Sequence, residues 1–460
     1  MASAENVTRY HALDSWRGIC ACMVALFHFD VISHLSFLPL TRHAYLFVDF
    51  FFVLSGFVIA SNYRSRLADG FGTGRFLVLR LGRIYPLHLV TLLLFIPIDA
   101  AKDGIRPNLL QAIVTNVLLL QGLGINPQNW LNFASWSIST EFAAYAIFAV
   151  VVSRIGPAIW PWLLPIMVGP AVLATISPDG MNATYDYGLV RCLYGFALGV
   201  VCFDLRERFP VLRARLGPSG ETWLEAASVM LVVFYVSVAG SNVILQVASP
   251  MVFTLVVLVF AREAGAVSRR LTAPSMLMIG TLTYSIYMLH PLVRAVVRAI
   301  LMVVERLGHM ELFVSYALSS GHEPTKVVSL NGSLWLGDLL QIAMLLSTGA
   351  AVGCNLSLRG RARAELGQAP DGSAQGCRSA QRAAGLRHLT WQDRALGYSR
   401  QSAACLDQFH GPLVERDEGI GSKPVALVSD DTIGEITPGI KERQSGLGCG
   451  PVNNRIGGID

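Results

Sequence analysis

The chain has 460 residues, 53% of them hydrophobic and only 15% charged, with a mean hydropathy of +0.50. Soluble domains carry about 25% charged residues, so a soluble enzyme is excluded, as are a disordered chain, a collagen and a disulfide-stapled secreted module. The net charge of +5 carries less information than its placement: Arg dominates, Lys occurs only at 102, 326, 423 and 441, and the basic residues cluster in a few loops. No basic stripe interleaved with aromatics and no finger spacing points to nucleic acid. The eight cysteines are scattered without a CxxC pair, which argues against zinc and redox chemistry. The fold class that remains is all-α, a polytopic bundle of membrane-spanning helices.

A spanning helix needs about 20 mainly apolar residues. Ten runs meet this: 13–34, 44–62, 84–101, 136–153, 158–177, 187–204, 223–240, 242–261, 276–297 and 333–353. The first holds Asp14, Arg17 and His28, which the core of a cleavable signal would not tolerate. An eleventh run, 109–125, is short and contains Gln111, Asn116 and Gln121. Charge decides its status. The loop 63–83 carries Arg64, Arg66, Arg75, Arg80 and Arg83, and the loop 205–216 carries Arg206, Arg208, Arg213 and Arg215. Both belong on the cytoplasmic side, so an even number of crossings separates them. Omitting 109–125 gives four, and it reads as a re-entrant or interfacial piece on the outer side. Arg262, Arg269 and Arg270 then fall inside, Lys102, Asp103, Asp179 and Asp186 outside, and both termini are expected in the cytoplasm. From residue 355 the chain turns rich in Gly, Arg, Asp and Ser. The expected division is a transmembrane domain, 1–354, and a soluble, poorly ordered tail, 355–460.

Ionisable groups inside a bilayer each need a reason, because they cost about 2.5–3.5 kcal/mol at a helix centre on insertion scales. Arg17 and His28 are eleven residues apart, which places them within about 20° of one helix face and about 16 Å apart along the axis. Asp14 shares that stripe. The bland reading has Arg17 reaching the headgroups and pairing with Asp14, and His28 satisfied by an interhelical hydrogen bond. Asp49, Glu141, Arg191 and His290 are placed by the topology near the depth of His28. A converging polar pocket accounts for them together, with Asp49–Arg191 as a plain ion pair the competing reading. Arg80 and Arg83, just before the third span with Pro86 as its start, read either as topology signals or as a phosphate clamp. Ser55-Gly56 reads as a site of close helix approach, Tyr145 as packing, and His34, His43 and His88 as span-end structure.

These elements resemble a family. Arg17-x10-His28 within LDSWRGICACMVALFHF, Phe51-Phe52-Val53-Leu54-Ser55-Gly56, Arg80-x2-Arg83-Ile84-Tyr85-Pro86, Trp136-Ser137-Ile138-Ser139-Thr140-Glu141 and Leu282-Thr283-Tyr284-Ser285-Ile286-Tyr287-Met288-Leu289-His290-Pro291 occur in the order seen in the membrane acyltransferases of acyltransferase family 3. The match covers roughly residues 9–345. The resemblance implies transfer of an acyl group, most often acetyl, from cytoplasmic acyl-CoA to a hydroxyl of a sugar, glycan or similar acceptor; the Arg-rich, Lys-poor usage points to a bacterial source and hence to an inner membrane. Acyl-CoA is then a co-substrate, with no permanently bound cofactor and no metal. Arg17, Arg80 and Arg83 would hold the nucleotide phosphates. The pantetheine arm would run beside the first helix to His28, the general base, with Glu141 orienting it or binding acceptor hydroxyls. Asp14, Asp49, Ser55, Trp136, Arg191, Ser285, Tyr287 and His290 would support the site or the acceptor. A transporter or flippase for a glycan or lipid precursor is the alternative, although paired broken helices and repeated halves are not evident. The resemblance stops near Ser347: the aromatic and acidic close of the family's last span is missing. A reading frame lost near that point would explain both this and the character of the tail.

Overall fold

A computed structural model describes residues 8–104, 107–240, 242–316 and 325–365. The expected tail, apart from its first residues, lies outside them. The chain forms α1 (His11–His28), short α2 (His34–Phe37) and α3 (Pro39–Arg42), α4 (Phe47–Ala68), α5 (Thr73–Asp103), α6 (Leu109–Val117), α7 (Trp136–Ile155), α8 (Trp160–Thr175) and α9 (Gly188–Arg208). Then come α10 (Pro218–Ala239), α11 (Val243–Phe260), short α12 (Ala266–Leu271), α13 (Pro274–Gly308) and α14 (Leu334–Glu365). A small hairpin of β1 (Phe313–Tyr316) and β2 (Thr325–Val328) precedes α14; the sequence reading did not anticipate it.

The protein is a polytopic helical membrane protein. Among the described residues, seven helices (α4, α5, α7, α9, α10, α11 and α13) are long and apolar enough to cross a membrane, and α8 and the first half of α14 are shorter apolar helices. With α1, every one of the ten expected spans coincides with a helix. Leu93, Leu164, Met167, Met230 and Phe234 are exposed, as lipid-facing side chains would be. α6 has nine residues, about 13 Å at helical rise, against a hydrocarbon core of about 30 Å. It is too short to cross.

Several boundaries differ from expectation: α13 runs on to Gly308 and α14 to Glu365, beyond the expected ends at 297 and 353, and three further differences bear on the site. The first span ends at His28, not 34. Asp30 turns through a left-handed conformation (φ 47°), and Asp30 and Ile32 then pair with Val328 of β2. The basic loop 63–83 shrinks to a short turn, because α4 runs to Ala68 and α5 begins at Thr73. Pro86 is therefore inside α5 rather than at its start. Proline is tolerated inside membrane helices, and on the same stretch of α5 the Tyr284 hydroxyl donates to the Ile84 carbonyl.

Helices in lipid gain little from hydrophobic burial against each other, so close backbone contact and polar bonds hold them. Gly18 and Gly280 bring α1 and α13 together: a Cβ on Gly18 would lie 2.7 Å from the Ile279 carbonyl carbon, and one on Gly280 2.6 Å from the Asp14 oxygen. Gly56 and Gly199 do the same for α4 and α9, where added Cβ atoms would lie 2.0 Å from the Phe196 oxygen and 1.9 Å from the Val53 oxygen. Arg64 near the end of α4 bonds Asp204 near the end of α9 at 2.5 Å. This puts both arginine-rich turns on one face, as a count of four crossings requires. The N-terminus of α1 joins them, its Ala12 N–H donating to Glu263 beyond the end of α11.

Candidate active site

A cavity of about 640 Å³ opens between α1, α4, α5, α7 and α13. Its arginine-rich end is lined by Arg9, Asp14 and Arg17 of α1 and its approach, and by Arg80 and Arg83 of α5. Asp14 bridges Arg9 at 2.7 Å and Arg17 at 3.5 Å, so the pairing expected for Arg17 exists but is shared. Arg80 donates to the Tyr63 hydroxyl at 2.7 Å and stacks on that ring. Arg83 has no ion-pair or hydrogen-bond partner among the described residues, and it lies close enough to Arg17 for the two cations to repel. Four guanidiniums thus face Asp14 and Glu141, a surplus of positive charge suited to a polyanion.

Deeper in the cavity is a hydrogen-bonded triangle. The Ser55 hydroxyl donates to Glu141 Oε1 at 2.6 Å, Tyr145 donates to the same oxygen at 2.5 Å, and the two hydroxyls are 2.9 Å apart. Gly56 makes the close helix approach expected of the Ser55-Gly56 pair, whereas Ser55 makes polar contacts. Tyr145 is more than packing. Along α4 the cavity lining extends from Ile59 to Val48, about 16 Å of helix rise. Ser137, Ser285 and Tyr287 line it as well. On α1 it touches nothing beyond Arg17. The cavity continues between α4, α7 and α13 and does not follow the first helix toward His28.

His28 sits past Tyr287. The Tyr287 ring lies 5.9 Å from Phe51 and 5.8 Å from His290, and the His290 ring lies 5.1 Å from that of His28. His28 is half-buried, and its Nδ1 is 2.8 Å from the Val24 carbonyl one turn below. A carbonyl can only accept, so Nδ1 carries the hydrogen and Nε2 of the neutral ring keeps its lone pair. Glu141 does not provide this orientation; its hydrogen-bond partners are Ser55 and Tyr145.

Phe133 packs on both imidazoles, at 4.8 Å from His28 and 5.7 Å from His290. Its loop is fixed by Asn132, whose amide donates to the Met288 carbonyl at 3.1 Å and whose oxygen caps Ala134. Arg294 lies over the outer side of Phe133 and pairs with Asp30, which Arg298 also approaches at 3.7 Å. Sequence reasoning missed Phe133, Asn132 and Arg294. Arg294 was findable, four residues beyond His290 on the same face; Phe133 lies outside any periodic segment and carried no signal.

The expected convergence of polar groups at one depth separates into three clusters. Asp49 and Arg191 form a closed one, away from the cavity. Arg191 donates to both Asp49 oxygens at 2.7 and 3.0 Å and to the carbonyls of Ala183 and Tyr45. Ser249 also binds Asp49, and Trp136 packs under the guanidinium at 5.7 Å. Arg191 is 1% exposed and Asp49 is 0%. The plain ion pair is what the structure contains, with Trp136 as its support. His34, His43 and His88 each have local partners: Asp338, the Val236 carbonyl and the Asn116 carbonyl. Among the described residues, no three His, Cys, Asp or Glu side chains converge as a metal site.

The family model for an acyltransferase domain, acyltransferase family 3, matches residues 10–320. The chain belongs to this family. All five motifs fall within the match, as does the cavity lining apart from Thr8 and Arg9. Protein 2 in the picA locus of Rhizobium radiobacter is 35% identical over 159 residues, covering 31% of this chain and 81% of that protein. Acyltransferase MdmB of Streptomyces mycarofaciens is 33% identical over 145 residues, covering 28% of this chain and 34% of that relative. The protein is therefore a membrane acyltransferase.

Proposed function

We propose that this acyltransferase moves an acyl group, acetyl in the first instance, from acyl-CoA to a hydroxyl of a sugar, glycan or similar acceptor. The arginine-rich face is the cytoplasmic one, which places both ends of the transmembrane domain in the cytoplasm and the His28 end on the outer side of a cell membrane. Arg17, Arg80 and Arg83 hold the anionic nucleotide end. The pantetheine arm follows the cavity past Ser55, Glu141 and Tyr145, where the free oxygen of Glu141 accepts an amide N–H of the arm or a hydroxyl of the acceptor. Movement of the Tyr287 and Phe51 rings brings the thioester to the two imidazoles.

His28 takes the acceptor hydroxyl proton on Nε2. The oxygen attacks the thioester carbonyl, a C–O bond forms, the C–S bond breaks, and the electron pair leaves on the CoA sulfur. The observation that carries this reading is the bond from Nδ1 to the Val24 carbonyl: it fixes the tautomer a base needs, one aromatic layer from a cation-lined cavity. Positioned general bases contribute about 10²–10⁴-fold.

Membranes bearing the chain are given labelled acetyl-CoA, and thiol release and label transfer are followed. The expected result is release that depends on the chain and on added hydroxyl acceptor. Absence of thioester consumption across several acyl donors and acceptors, with folded protein present, would overturn the reading and favour transport.

A further inference from the structure

His290 is 0% exposed, and neither ring nitrogen has a hydrogen-bond partner among the described residues. Each orphaned polar atom costs about 1–3 kcal/mol. A residue kept for packing alone at this position would better be Phe or Leu, and a structural histidine normally satisfies at least one nitrogen, as His34, His43 and His88 do. Pro291 follows it and, lacking an N–H, frees the Tyr287 carbonyl. The His290 ring nears that carbonyl and the one of Ile286 without reaching hydrogen-bond geometry. Both nitrogens remain available in a ring that stands between His28 on one side and Tyr287, the wall of the cavity, on the other.

We propose that His290 is a second catalytic imidazole, relaying to the departing CoA sulfur the proton that His28 collects from the acceptor. This rests on the acyl-CoA reading above. The steps balance. The hydroxyl proton passes to His28 Nε2 as the C–O bond forms. As the C–S bond breaks, His290 gives the proton on one nitrogen to the sulfur and takes the His28 proton on the other. The free thiol leaves through the cavity, and both rings end neutral. A relay needs both nitrogens unpartnered in the resting protein, and this ring has them so. The ring spacing of 5.1 Å allows nitrogens of the two rings to meet directly or through one water.

The test uses the full chain in membranes, with glucose, N-acetylglucosamine and glycerol as hydroxyl probes and two donors, acetyl-CoA and S-phenyl thioacetate. Benzenethiol is far more acidic than an alkyl thiol and leaves without protonation at neutral pH. His290→Gln should lower acetyl-CoA turnover about 100-fold and S-phenyl thioacetate turnover less than about tenfold, whereas His28→Ala should lower both alike. Recovery with the aryl thioester also shows that the variant is folded. Equal losses on both donors would reduce His290 to a structural role and overturn the relay, as would full acetyl-CoA turnover by His290→Gln. A parent chain that consumes neither donor overturns the acyl-CoA reading itself, a result distinct from either of these.

Discussion

Replacing Asp49 by Asn removes one charge from the Asp49–Arg191 pair while keeping its shape. Arg191 keeps the carbonyls of Ala183 and Tyr45 and one amide oxygen in place of a bidentate carboxylate. Its positive charge is then uncompensated at a site 1% exposed. Breaking a buried pair by removing one partner costs about 3–5 kcal/mol, and each 1.4 kcal/mol is about tenfold in an equilibrium, so the folded fraction falls more than about a hundredfold relative to the unfolded. The assay is thermal unfolding of the detergent-solubilised protein, followed by loss of the monodisperse chromatographic peak. Asp49→Asn should melt well below the parent, and Asp49→Leu combined with Arg191→Met, which removes both charges, should recover most of the loss. The turnover of Asp49→Asn that remains folded should match the parent. A variant that melts with the parent but has lost turnover would refute the separation of this pair from the catalytic machinery.

Arg83→Gln should raise the KM for acetyl-CoA about 10–100-fold with little change in kcat, since a charged hydrogen bond is worth about 1.5–3 kcal/mol; steady-state kinetics over a range of donor concentrations measures it. Gly56→Ala should abolish folded protein, because the new Cβ would lie 2.0 Å from the Phe196 carbonyl oxygen, whereas Gly82→Ala, with nothing within 4 Å, should be tolerated or stabilise by up to about 1 kcal/mol; expression and melting of the two variants compare them. Asn132→Ala should release the Phe133 loop and lower kcat while the KM for acetyl-CoA stays near the parent value, because Asn132 bonds α13 beside the imidazoles and not the cation end.

Helix number was legible because a span must be about 20 apolar residues long and because arginine placement fixed the parity of crossings. Both signals are local. What the sequence did not carry is where helices meet. The stripe of Asp14, Arg17 and His28 was correct as a helix face, yet the cavity leaves α1 after Arg17, because Gly18 is pressed against Ile279 and Gly280 and closes that route. Asp49 and Glu141 looked alike as intramembrane acids. One is tied to Arg191 and the other to two hydroxyls, a difference made by contacts between helices far apart in sequence. The basic segment before α5 read as a loop because Arg and Gly interrupt its hydrophobicity, but Arg is a good helix former and the helix starts at Thr73.

The central claim is that His28 Nε2 is the base for acyl transfer. It is tested most directly by the rate of thiol release from acetyl-CoA by His28→Gln in membranes that hold the same amount of folded protein as the parent. The account predicts a fall in kcat of about 10²–10⁴-fold with the KM for acetyl-CoA near the parent value, because His28 does not line the cavity proposed to hold the donor. Parent-like turnover by a folded His28→Gln variant would contradict it.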